Sequence, residues 1–197
     1  MNEKTSFYTI RLLVTSAIER GKSGTLLVEL LDIKRAYDSD VPLRDVPPAL
    51  VQASPSRYGQ LTLRQLCDQM HGLLRDRKAD KLQRAVFTAA YEPEIAIAPV
   101  EGHTALIRGN VDLVPLDELA GRIAASLAAS LIVVYPPGIA IMVPGERFAA
   151  DSAAVDYLRL FEVSDNLFPG FETEMQGIFP RRDADGRLRY YTYVVKE

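Results

Sequence analysis

Arg20-Gly21-Lys22-Ser23-Gly24 is the run in this chain that comes nearest to a ligand-binding motif. A phosphate-cradling loop has the form G-x-x-x-x-G-K-S/T between a strand and a helix, with backbone amides wrapped round the phosphate. The glycine that should open it falls at Ser16, so the residue best able to turn those amides inward is missing. No apolar strand ending in a metal-binding aspartate accompanies it. The glycines and Ser23 read instead as the shaped and capped entry to a helix.

Cys67, His71 and His103 are the one cysteine and the two histidines. None is paired at C-x-x-C or H-x-x-x-H spacing, so no metal site is expected. A nucleophilic triad has no G-x-S-x-G elbow to stand on. Glu172 and Glu174 share a face only if their segment is extended, and acid-base work by such a pair is less common than solvation or loop ordering. Glu146, after Pro144-Gly145, suits a structural role in which it accepts backbone amides of the segment that follows. No residue here is assigned a catalytic part.

The 197 residues are 48% apolar and 25% charged, with a net charge of −3. Folding a chain of this size buries roughly 70% of its unfolded surface, so no staple is needed. The acidic balance argues against a nucleic-acid surface, which needs clustered lysine and arginine. Apolar runs such as Ala128 to Val134 are far short of the ~20 residues that cross a bilayer, and the N-terminus lacks the apolar core of a signal peptide. With a single cysteine, these features lead to the expectation of a cytoplasmic protein with no membrane contact.

The elements follow from spacing and punctuation. Phe7 to Val14 reads as a strand. Leu26, Leu27, Leu30, Ile33, Lys34 and Tyr37 predict a helix over 25–37 with one face packed inward. Pro42, Pro47, Pro48 and Pro55 speak against regular structure until about Tyr58. Thr62 with Gln65 is a capping box, and Leu63, Leu66, Cys67, Met70 and Leu74 form the stripe of the helix it starts, which puts Cys67 on the buried face.

A second helix, Ala79 to Tyr91, completes a helical hairpin. A short helix near Val100 to Arg108 precedes a strand at Val111 to Val114. Small and apolar residues from Ile123 to Val134 lead into Tyr135-Pro136-Pro137-Gly138. Ile139 to Val143 is then a strand fenced by prolines, because Pro136, Pro137 and Pro144 cannot donate to a ladder. Asp151 caps a helix with Val155, Leu158 and Phe161 inward, which Pro169-Gly170 stops. A hairpin around Asp183-Ala184-Asp185-Gly186 closes the chain. The sum is an α+β fold, a mixed sheet with packed helices.

Tyr135-Pro136-Pro137-Gly138-Ile139, Pro144-Gly145-Glu146-Arg147 and Phe168-Pro169-Gly170-Phe171-Glu172-Thr173-Glu174, with Leu116 to Ile123, resemble the C-terminal domain of bacterial ornithine/lysine/arginine decarboxylases. The resemblance runs upstream through Leu63 to His71 and Lys34 to Asp38 to Glu3-Lys4-Thr5. It implies three parts: 1–40 as the end of a small aminotransferase-like subdomain, 41–60 as a proline-rich linker, and 61–197 as the C-terminal domain. Two departures stand out. The stretch 126–134 is longer than is usual in the family, and Val134 and Ala140 stand where prolines are common.

The family implies a pyridoxal-phosphate enzyme of the aspartate-aminotransferase fold type that decarboxylates a basic amino acid and works as a homo-oligomer. Its Schiff-base lysine lies in a Ser-x-His-Lys motif. Here His71 is followed by Gly72 and His103 by Thr104, so the cofactor belongs to a domain outside this chain, and the chain alone is expected to be inactive. By the same resemblance Glu3 meets the distal cation of the substrate, and the rest lines the active-site entrance and subunit contacts. A stand-alone binding or regulatory module that kept this fold is the alternative.

Overall fold

The computed structural model describes residues 2–6, 9–12, 20–88, 92–119, 126–135, 138–149 and 152–196, with backbone alone for those before Ser23. It opens with a hairpin of β1 (Asn2–Ser6) and β2 (Thr9–Leu12). Phe7, Tyr8, Leu13 and Val14, part of the strand expected there, lie outside the described residues. Helix α1 (Arg20–Asp38) follows. It begins earlier than the spacing predicted and absorbs Arg20 to Gly24, so that run is helix rather than a loop.

The inward face expected of α1 is a correction. Leu27 and Ile33 are 60% and 50% exposed, and Leu26 and Leu30 are exposed as well. The helix is held at its C-terminal end: Tyr37 Oη bonds Asp68, and the Arg64 guanidinium donates to the carbonyls of Tyr37 and Asp38. Its apolar residues therefore have nothing in the described chain to cover them.

The prolines after it start structure rather than forbid it. A short 3-10 turn at Leu43–Asp45 leads to α2 (Pro48–Ala53) and α3 (Pro55–Tyr58), each of which opens on a proline. Proline suits the first helical position, where its missing N–H has no intrahelical acceptor. Leu43 and Tyr58 are fully buried and form a small core with Leu66 and Phe168.

In α4 (Leu63–Asp76) the Thr62 hydroxyl accepts from the Gln65 amide, and the Gln65 side chain accepts from the Thr62 amide. The capping box is present as predicted. The buried stripe is Leu66 with Met70 and Leu73 against that small core, while Cys67 and Leu74 are exposed. Burial of Cys67 was therefore the wrong expectation. Two apolar stripes run side by side on this helix, and contact with Tyr58 and Phe168 selects one of them.

Helix α5 (Ala79–Val86) is shorter than expected, and Tyr91 is outside the described residues. Helix α6 (Pro99–Ile107), β3 (Val111–Pro115) and α7 (Leu116–Leu119) follow, then β4 (Ile132–Tyr135), β5 (Ile139–Met142) and α8 (Ala153–Leu167). Ser152 occupies the N-cap position of α8, and Asp151 is not described. Val155 and Leu158 are buried, with Phe161 packed against the core. Strands β6 (Glu174–Gln176), β7 (Phe179–Arg182) and β8 (Leu188–Val195) end the fold, the last two as the predicted hairpin.

The α+β class is as predicted. The single mixed sheet resolves into two antiparallel ones, ordered β3-β8-β7 and β5-β4-β6. Short reversals join β4 to β5 and β7 to β8, whereas parallel pairing needs a long crossover. The main core lies where both sheets meet α8, around Leu116, Ile132, Phe148 and Leu158. An Arg189 guanidinium clamp on Asp117 and Glu118, at 2.8 and 3.0 Å, ties β8 to α7.

Candidate functional site

The two proline-glycine segments lie far apart in sequence and meet across β4. Its register sets Tyr135 opposite Glu174 and Val133 opposite Gln176, while its other edge pairs Val134 with Ile139. Tyr135, Ile139 and Phe171 are exposed, at 43%, 53% and 41%. Directly opposed residues share a face and successive ones alternate, so Tyr135 lies on the side of Glu174 and Ile139 on the other side with Val134. Glu172 and Glu174 are exposed as well.

Each turn is closed from within. The Gly138 amide donates to the Val134 carbonyl at 2.9 Å, while Pro136 and Pro137 lie outside the described residues. Glu172 Oε1 accepts from the Gly170 amide at 3.0 Å, a bond that orders the turn. Tyr58 donates its hydroxyl to the Pro169 carbonyl at 2.8 Å and meets Phe171 edge to face. Glu174 sits on β6 and Glu172 before it, so the two are not a matched acid-base pair.

Glu146 accepts an amide proton, but from Val143 at 2.7 Å, three residues back, rather than from the segment that follows. The Pro144-Gly145 reversal brings that earlier amide within reach. Burial pushes the Glu146 carboxyl above its ordinary range, and the Val143 bond opposes the shift. Gly145 is enclosed between Gly102 of α6 and the Ile97 carbonyl. Glu3 lies on β1 at the register shift between Asn2 and Lys4, and its side chain is outside what the structure describes. His71 is exposed and so is His103. Among the described residues no group of three metal-ligating side chains gathers.

A buried polar network escaped the sequence reading. Glu162, Asp165 and Asn166 project from α8 onto β8. Glu162 Oε2 accepts from the Tyr190 amide at 2.7 Å, Asn166 exchanges both backbone bonds of Leu188 at 2.7 Å, and the Tyr190 hydroxyl donates to Asp165. The signal was available: polar residues at i, i+3 and i+4 on a face that also carries Leu158 and Phe161.

Asp165 is 3% exposed, and its Oδ1 has no hydrogen-bond partner. Burial raises its pKa above the ordinary 3.8, against the bonds from Tyr190 and Thr173, and Glu172 raises it further. A raised carboxyl favours the folded state most when protonated, so its contribution is full below 3.8 and lost as pH rises through the raised value. Asp165→Asn removes that titration. The stability difference between the variant and the wild type, followed by denaturant unfolding from acid to neutral pH, is expected to move in the variant's favour and then level off. A difference independent of pH would show that Asp165 is not held with a raised pKa.

The fold is α+β, with two three-stranded antiparallel sheets packed with helices. The family model described as the Orn/Lys/Arg decarboxylase C-terminal domain matches residues 80–196. The chain belongs to the Orn/Lys/Arg decarboxylase family. It is 40% identical to the lysine decarboxylase LdcA of Pseudomonas aeruginosa over 99% of this chain and 25% of that protein. It is 38% identical to the constitutive ornithine decarboxylase of Escherichia coli over 98% of this chain and 26% of that protein. Among solved structures, the E. coli constitutive lysine decarboxylase aligns over 100% of this chain and 26% of its own, with a TM-score of 0.80 at 29% identity. The chain spans about a quarter of the length of the curated relatives it matches.

Proposed function

We propose that this chain is the C-terminal portion of a longer, pyridoxal-phosphate-dependent decarboxylase of a basic amino acid: lysine, ornithine or arginine. Release of CO2 from such a substrate leaves a diamine or agmatine, the chemistry of a lyase that feeds polyamine synthesis in the cytoplasm. Within that enzyme, residues 61–197 form the C-terminal domain, 41–60 the connection, and 1–40 the end of the small subdomain. Glu3 meets the substrate's distal cation, the rest of the C-terminal domain lines the way into the active site, and homo-oligomer contacts complete the assembly. The observation that carries this reading is the exposed aliphatic surface of α1 on a chain a quarter the length of its relatives. Such a surface suits the flank of a larger body.

Among the described residues the lysine side chains do not fit the cofactor. Lys34 pairs with Asp38 on the surface, Lys78 and Lys81 are exposed, and Lys196 faces Asp112. Among the described side chains all four lysines are thus on the surface, and the sequence has no Ser-x-His-Lys motif. No reaction step is assigned to this chain.

The test has two arms. The intact mass of the protein from its source cells is expected to be several times 21.9 kDa, and a mass near that figure would favour the stand-alone binding module instead. The purified 197-residue chain, given pyridoxal phosphate with each of the three amino acids, is expected to release no CO2. Release at an enzymatic rate would overturn the assignment of catalysis to the rest of the protein.

A further inference from the structure

Glu162 and Asp165 stand one turn apart on the inner face of α8, at 5% and 3% exposure. Three walls enclose them: α8 itself, β8 through Tyr190, and the turn 169–173 that leads into β6. Among the described residues, the charges that bear on Asp165 and Tyr190 are the Glu162 and Glu172 carboxylates, and none is a cation. Arg57, the cation at this end of α8, acts on Tyr58 instead.

A buried carboxylate without a cation needs donors on both oxygens. Oδ2 has two, the Tyr190 hydroxyl and the Thr173 amide at 3.4 Å, while Oδ1 has none. A proton on Asp165 removes the charge, and the cost of a bare Oδ1 falls to that of a neutral group. Loss of the proton restores the charge beside two other carboxylates, and only water can then satisfy Oδ1. Water reaches it when one wall moves. Strand β8 is fixed to α8 by the two bonds between Asn166 and Leu188 and by the Tyr190 amide on Glu162, all at 2.7 Å. The turn is held to Asp165 by the Thr173 amide, the longest bond of the group, and at its far end by the Tyr58 hydroxyl on the Pro169 carbonyl. The turn is therefore the wall that yields.

We infer that Asp165 is a proton-operated latch on the turn 169–173: with its proton the turn is closed against α8, and without it the turn lifts at the Thr173 end, taking Glu172 away from the buried carboxyls. The inference rests on this cluster alone and stands apart from the decarboxylase reading.

The test follows amide hydrogen exchange of the full 197-residue chain from acid to neutral pH, each rate taken relative to the unstructured peptide at the same pH. Protection of the Thr173 amide is expected to fall as pH rises, by about tenfold for each unit by which the Asp165 pKa is raised, while the Leu188 and Tyr190 amides stay protected. Asp165→Asn keeps an oxygen for Thr173 and loses the titration, so its Thr173 protection is expected to be flat. Glu172→Gln keeps an oxygen for the Gly170 amide and loses the charge that raises Asp165, so its midpoint is expected at lower pH. Glu172 acting by itself has the opposite sign, because its ionised form accepts the Gly170 amide more strongly and closes the turn as pH rises. If Asp165→Asn does not fold, the wild type and Glu172→Gln decide. Thr173 protection that is flat or rises with pH in the wild type overturns the inference. So does a fall that survives Asp165→Asn, a midpoint unmoved in Glu172→Gln, or joint loss at Leu188 and Tyr190.

Discussion

Gly145→Ala is expected to destabilise the domain by about 3–4 kcal/mol, among the largest effects of any single methyl addition here. Gly145 has φ +89°. A Cβ there would stand 2.4 Å from the Ile97 carbonyl oxygen and 3.3 Å from that of Ala98. The same residue is a crossing point of the backbone: its amide donates to the Ala128 carbonyl at 2.7 Å, and its carbonyl accepts from Ala96 at 3.0 Å. The chain cannot retreat from the clash without breaking those bonds. Gly109 supplies the control, with φ +72° and nothing within 4 Å of an added Cβ. Gly109→Ala is expected to cost only the left-handed backbone term, about 1 kcal/mol. The comparison is made by denaturant unfolding of both variants. Equal losses would mean that close approach to Ile97 plays no part.

Tyr58→Ala is expected to cost about 3–5 kcal/mol, the range for truncation of a buried aromatic residue. The ring is fully buried between Leu43, Leu66 and Phe168, with Arg57 over the Tyr58 and Phe168 rings. Its hydroxyl holds the Pro169 carbonyl, and Arg57 Nε donates to the Leu167 carbonyl at 2.7 Å. Residues 57 and 58 therefore fasten the proline-rich segment to the end of α8 and to the turn that carries Phe171. Tyr58→Phe keeps the packing and removes one bond, so about 1 kcal/mol is expected. If Tyr58→Ala loses no more than Tyr58→Phe, the segment packs as a loose connection. A full loss makes the short helices after Pro47 and Pro55 part of the folded unit.

The distance between reading and structure is clearest on α4. Thr62 and Gln65 are three apart, and their reciprocal bonds depend on little beyond the local chain, so the helix start was legible. Which stripe the helix buries was not, because Leu66 and Cys67 are adjacent and both suit an apolar face. The choice came from Tyr58 and Phe168, the second about a hundred residues away. The same holds for α1, whose apolar spacing was read correctly as a helix but whose face meets no core within the described residues.

By itself, the order of residues determined what neighbours in the chain can decide: the capping box at Thr62, the prolines that fence Ile139 to Val143, the Asp183-to-Gly186 turn, and the family. Tertiary structure alone decided the pairing of Tyr135 with Glu174, the orphaned carboxyl oxygen of Asp165, and the bond that Glu146 accepts from Val143. The physical reason is range. Caps and turns are satisfied within a few residues, whereas burial and desolvation are sums over atoms that only the folded chain brings together.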